Sequence, residues 1–261
     1  MKQRFIFGLA ALLIAGIAVA ITLSRAPTNH VAVVSPSPSP VHPQPEAPTL
    51  DVRDYNVARL KIENQRLALW SRYQRATSQA EQLSIINEAR ETLVRSVSDQ
   101  IVPYWYGTSW DFYGTTETPR QGKIACGYFV STVLRDTGMK VQRAKLAQQA
   151  SENIILSLTT DEHTKRFSQL PIKSFVDASK KWGSGLYVVG LDVHVGFILN
   201  IDGDVFFIHS SYVEPYAVVK ERAINSQVLA SSRYRVLGKL SEDNELILRW
   251  LRGDEIVTRT S

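Results

Sequence analysis

Residues 193–210 read VHVGFILNIDGDVFFIHS. Two apolar runs rich in Val, Ile and Phe flank Asp202-Gly203, a pair favoured in two-residue hairpin turns because both central residues must take positive φ. The stretch therefore predicts two antiparallel strands, 193–200 and 205–210. With Asp202 and Gly203 as the turn, Asn200 faces Val205 and Gly196 faces His209. Side chains two apart on a strand share a face, so His194, Gly196 and His209 lie on one side of the sheet. His209 is then the diagonal neighbour of His194, at roughly 5–8 Å between backbones, within reach of an imidazole–imidazole hydrogen bond. Gly196 leaves room for it. A lone histidine on an apolar strand is commonly a satisfied core residue, but two on one face beside a glycine point to chemistry.

Working outward, further strands are predicted over 185–189, about 216–221 and about 234–239, followed by a helix from Ser241 that turns Leu246, Ile247, Trp250 and Leu251 inward. The fold class this implies is α+β, with helices packed on one side of an antiparallel sheet, in one domain from about 78 to 261. Upstream, residues 122–138 read GKIACGYFVSTVLRDTG. Phe129, Val130, Val133 and Leu134 fall on one helical face and Gly138 is a natural stop, which puts Cys126 at or near the first turn of a buried helix. There, unpaired N–H groups and the helix dipole stabilise a thiolate. The competing reading, a small buried hydrophobe, stays open on this stretch alone.

Residues 51–101 contain neither Gly nor Pro and mix helix formers with both signs of charge. Ser78-Gln79-Ala80-Glu81 has the capping-box pattern, predicting one helix to about Thr77 and a second from Ser78 towards Ile101, ended by Pro103. Ile86, Ala89, Leu93, Val97 and Ile101 form one apolar stripe. Its period is sustained for too few heptads to argue a coiled coil, so the expectation is that it packs on the domain C-terminal to it. Helical candidates also occur at 143–158 and 171–182, separated by a polar loop around His163.

Residues 5–23 form an uncharged run of nineteen behind Lys2 and Arg4, long enough to cross a bilayer. Ser24-Arg25-Ala26 also offers a cleavage site. Residues 1–26 are thus a signal anchor or a removed signal peptide, and either one exports the remainder. Residues 27–50 are a Pro-rich spacer; the SPSPSPVHPQPEAP stretch favours extended polyproline geometry over any packed core.

The order of these features resembles the NlpC/P60 superfamily of papain-like cysteine hydrolases. Tyr104-Trp105-Tyr106-Gly107-Thr108 precede Cys126 at a helix start; then come Gly185-Leu186-Tyr187-Val188-Val189, His194-Val195-Gly196-Phe197-Ile198 and Phe207-Ile208-His209-Ser210. The resemblance covers about residues 100–220. It implies a papain-like hydrolase domain over 102–240, between the helical region 51–101 and a C-terminal helix and tail, 241–261. It also implies peptide bonds of peptidoglycan, or another amide, as substrate. The chain departs from the family pattern around the thiol, where Ala125 stands for the usual Asp or Asn and Gly127-Tyr128 for Ser-Gly. Residues 139–184 are an insertion.

The chemistry so implied is acyl transfer to water, with Cys126 as nucleophile, His194 as base and His209 orienting His194. The resemblance adds the Tyr104 hydroxyl, beside the Cys126 N–H, as an oxyanion donor. Trp110, Phe112 and Tyr113 crowd the same stretch as Tyr104. A binding or scaffold module that keeps the fold without turnover is the alternative.

Composition narrows the rest. The chain has 261 residues, 44% of them hydrophobic, and a formal charge of +5. Lys2, Arg4 and Arg25 account for three of those charges, leaving 27 basic against 25 acidic residues beyond residue 26, too even a balance for a nucleic-acid partner. No Gly-rich phosphate loop is present. One cysteine excludes an intramolecular disulfide and a cysteine-rich zinc site. His194, His209 and Cys126 are zinc-ligand types, but no fourth ligand has convincing spacing, so neither a metal nor a cofactor is expected.

Overall fold

A computed structural model describes residues 51–260. The anchor and spacer expectations, residues 1–50, fall outside them. Among the described residues no helix is long and apolar enough to cross a membrane.

The architecture is α+β. Six strands, β1 (Thr164–Ser168), β2 (Gly185–Leu191), β3 (Val195–Ile201), β4 (Asp204–Ser210), β5 (Val218–Arg222) and β6 (Tyr234–Lys239), form one antiparallel sheet in the order β1-β6-β2-β3-β4-β5. The β3–β4 register follows the sequence reading: Asn200 pairs with Val205 and Phe197 with Ile208. Asp202 and Gly203 both take positive φ, 49° and 91°, as the tight turn requires. The β3 strand begins at Val195, not Val193. A Leu191 N–H bond to the His194 carbonyl (2.8 Å) closes the β2–β3 turn, so His194 sits at the mouth of the strand.

The helices are α1 (Val52–Arg75), α2 (Gln79–Arg95), α3 (Cys126–Asp136), α4 (Arg143–Ala147), α5 (Ser151–Leu158), α6 (Ile172–Lys181), α7 (Gln227–Ser231) and α8 (Asn244–Arg252). Ser78 caps α2, accepting from the Glu81 N–H, while Glu81 reaches back to the Thr77 N–H. The helical path does not stop at Pro103. After α2 it runs on as a π-helical turn, Ser96–Ile101, and a last turn, Val102–Trp105, in which Pro103 is the second residue.

The stripe Ile86, Ala89, Leu93, Val97 and Ile101 is buried in the main core, as expected of a helix packed on its own domain. The core begins earlier than residue 78, however. From α1, Tyr55, Ile62 and Leu69, seven residues apart, join the same cluster. The Tyr55 hydroxyl donates to buried Asp136 (2.6 Å), and Arg66 donates to the Trp250 and Leu251 carbonyls at the end of α8. The domain therefore includes α1.

A second correction concerns the layers. Leu186, Val188, Phe197, Leu199 and Ile208 point into the core shared with α1, α2, α3, α5 and α8. Tyr187, Val189, Ile198, Val205 and Phe207 point the other way, under Phe175 and Val176 of α6 and Val228 and Leu229 of α7. Helices thus cover both faces, and the strands are apolar on both sides for that reason. The second cover comes largely from α6, within residues 139–184. The same stretch holds β1, an edge strand paired with β6 whose TKRFS sequence lacks any apolar alternation.

Candidate active site

Cys126 is the first residue of α3, and Ala125 before it is extended. Its segment is fixed on both sides. Ala125 N–H donates to the Gly114 carbonyl (2.8 Å), and Ser210 Oγ at the end of β4 donates to the Ile124 carbonyl (2.7 Å). Behind the thiol, Gly127 lies against α4: a Cβ there would come 2.2 Å from the Ala147 carbonyl oxygen. Only glycine fits at this position after the thiol.

His194, at the mouth of β3, and Cys126 line the same cleft, of about 680 Å³. A smaller pocket of about 280 Å³, bounded by Ala150, Ser151, Ile154 and Leu191, shares both residues. The N–H groups of Val195, Gly127 and Cys126 itself are aimed at the sulfur. Burial nevertheless outweighs them and pushes the Cys126 thiol above its ordinary pKa, against the thiolate expected from the helix terminus alone. Among the described residues no imidazole is hydrogen-bonded to Sγ.

The two histidines meet as the hairpin predicts. His194 Nε2 lies 2.9 Å from His209 Nδ1. Both rings are buried, His194 against Tyr212 and His209 stacked on Phe207 at 3.9 Å. A Cβ on Gly196 would approach the His209 Cβ to 2.8 Å and Phe207 Cε2 to 2.7 Å, so only glycine fits there. Burial holds His194 well below its ordinary pKa, helped by repulsion from His209, and burial lowers His209 as well. Both rings are neutral at pH 7.

The structure adds a residue that sequence reading missed. Glu221 of β5 brings Oε1 to 3.2 Å from His209 Nε2. Phe207 pairs with Glu221 and His209 with Val219, so Glu221 is the diagonal neighbour of His209 on the same face. The signal was the β4–β5 register, but a loop with no tight-turn pair separates those strands, and nothing in the sequence set it.

Tyr104 is not brought to the cleft. Its ring packs edge-on against Tyr55 of α1 (5.3 Å), and burial together with the Asp54 charge raises its pKa. Trp105 is core, donating to the Tyr55 hydroxyl. By contrast Trp110, Phe112 and Tyr113 line the cleft wall, with Phe112 and Tyr113 72% and 85% exposed. Arg143 pins this wall, bonding Thr132 on α3 and the Thr115 and Thr116 carbonyls.

Among the described residues no group of three or more potential ligands could hold a metal ion. A second cavity of about 490 Å³, between α2 and the far ends of β2, β3 and β6, is lined by neither a thiol nor an imidazole, and its charges are largely paired internally, as in Lys239–Glu242 and Arg95–Glu91. No family model, curated protein or solved structure matches this chain.

Proposed function

We propose that the protein is a cysteine hydrolase of the NlpC/P60 type that cleaves an amide or peptide bond, in peptidoglycan by preference, through Cys126, His194 and His209. The observation that carries this reading is the geometry of His194: its Nε2 is held by a second imidazole while it shares a cleft with the one thiol in the chain. An oriented base beside a nucleophile is the arrangement acyl transfer needs.

In the proposed reaction the Sγ–H proton passes to His194 as sulfur bonds to the carbonyl carbon. First-turn N–H groups of α3 face the oxyanion. The C–N bond then breaks and His194 returns the proton to the leaving amine. Water adds to the thioester as His194 takes its proton, and as the C–S bond breaks His194 passes that proton to sulfur, which regenerates the thiol. The balance is amide plus water to acid plus amine, with no cofactor.

Localisation belongs to the same proposal. Residues 5–23 would hold the domain at the cell membrane on its outer side, or, if removed, release it. The alternative, a tethered binding module without turnover, draws on one observation: burial raises the thiol pKa, and among the described residues no imidazole is hydrogen-bonded to the sulfur to offset it. Digestion of purified peptidoglycan fragments by wild type and Cys126→Ala, with the cut bond read by mass, decides between them. Cleavage by wild type alone supports the hydrolase; no cleavage by either supports the binding module.

A further inference from the structure

His194, His209 and Glu221 stand in a row, joined at 2.9 and 3.2 Å. Two neutral imidazoles alone can share their hydrogen bond in either direction. If His209 donates from Nδ1, His194 accepts at Nε2 and its proton sits on Nδ1. If His194 donates from Nε2, its Nδ1 carries a free lone pair. Only the second form can accept a thiol proton, because Nε2 is already committed to His209. The pair by itself does not choose.

Glu221 chooses. A carboxylate has no hydrogen to give, so the His209 nitrogen facing it must carry the proton. The neutral His209 ring then has its lone pair on Nδ1, which obliges His194 Nε2 to be the donor and leaves His194 Nδ1 as the basic atom. Burial tends to raise the Glu221 carboxyl, but hydrogen bonds from His209 and Ser226 hold it below its ordinary value, so it is ionised at neutral pH. Its place is fixed by the β4–β5 register, two positions along the sheet from His209 on the same face.

We propose that Glu221 is a positioning residue which, through His209, fixes the tautomer of His194 so that Nδ1 is the base for Cys126. The proposal rests on the hydrolase reading of the site, but its first readout does not. In the proton step the Sγ–H bond breaks, the proton moves to His194 Nδ1, and His209 keeps its own proton on Nε2 facing Glu221. No proton leaves the row.

The test is imidazole 15N NMR on the wild-type chain, E221A and E221Q, together with the alkylation rate of Cys126 by iodoacetamide at neutral pH and digestion of peptidoglycan fragments. Wild type should show both rings protonated at Nε2. E221A should mix the tautomers and slow both alkylation and digestion by roughly 10- to 100-fold, by analogy with the loss of other groups that orient a histidine. E221Q, whose amide oxygen still accepts, should keep the tautomers and most of both rates. Unchanged tautomers and rates in E221A overturn the proposal while leaving a Cys126-dependent digestion intact. Tautomers that shift in E221A, in a chain that digests nothing, support the relay and overturn the hydrolase reading instead.

Discussion

His194 and His209 meet nearly at right angles, their ring planes 89° apart and their facing nitrogens 2.9 Å apart. An edge-on meeting of this kind places one ring's nitrogen along the in-plane lone pair or N–H of the other, the geometry of a true hydrogen bond as opposed to stacking. Both partners are buried, so removing either ring strands a nitrogen of the other away from water.

Cys126→Ala and His194→Gln should each abolish hydrolysis while leaving the melting temperature within roughly 4 °C of wild type, since neither empties the apolar core. The paired measurement is calorimetry beside turnover of peptidoglycan fragments. Unfolding of either variant would show that the residue is a core element.

His209 should behave differently. Its ring is fully buried and stacked on Phe207, so His209→Ala leaves a cavity and should destabilise the domain by roughly 2–4 kcal/mol as well as removing activity. His209→Gln fills more of the space and keeps a hydrogen-bonding atom, so it should retain more of both. Urea unfolding of the two variants measures the gap; equal stabilities would mean that the site collapses freely.

The buried histidines also set a pH dependence. Both have folded pKa values depressed below 6.5, chiefly by burial, whereas the unfolded chain protonates them near 6.5. Between the folded and unfolded values the unfolded state binds more protons, so stability is complete above about pH 7 and falls as pH drops below about 6.5, by at most about 1.4 kcal/mol per pH unit for each ring. Melting temperatures from pH 7.5 to 5 should show this decline, and His194→Gln/His209→Gln should flatten it. A wild-type curve that is already flat would contradict the burial of the pair.

Gly127→Ser should destabilise the chain by about 2 kcal/mol or more, because the new Cβ meets a backbone oxygen and not a yielding side chain. Chemical denaturation beside Gly127→Ala tests the point, as both share the offending atom. Wild-type stability in either would show that α4 moves aside easily.

A chain beginning at residue 78 should fail to fold cooperatively, whereas one beginning at residue 51 should retain the wild-type transition. The shorter chain loses Tyr55, Ile62 and Leu69 from the core and uncovers Asp136. Two coincident transitions would instead show that α1 is an accessory.

The hairpin, its register and the His194–His209 pairing could be read from eighteen residues because a two-residue turn fixes partners without reference to the rest of the chain. The start of α3 at Cys126 and the inward face of α8 were equally local. What escaped depended on distant segments. Glu221 reaches His209 only through a strand pairing that a longer loop leaves open, and β1 owes its place to β6, not to its own charged sequence. Tyr104 was placed by resemblance, and α1 claims it instead. The buried face of α1 repeats at seven residues but is diluted by Arg66, which is buried for its hydrogen bonds and so broke the apolar pattern.

Arg66 has one more consequence, in the order of events during synthesis. Its guanidinium closes on the Trp250 and Leu251 carbonyls, and the Trp250 indole donates to the Thr137 carbonyl at the end of α3. Helix α1 and the helix bearing the thiol, α3, are therefore tied together through α8. Such long-range closure is slow and must wait for distant partners. A chain cut short before α8 would hold every member of the proposed relay but would lack the bonds that tie α1 to the end of α3, so the docking of these two helices has to wait for α8.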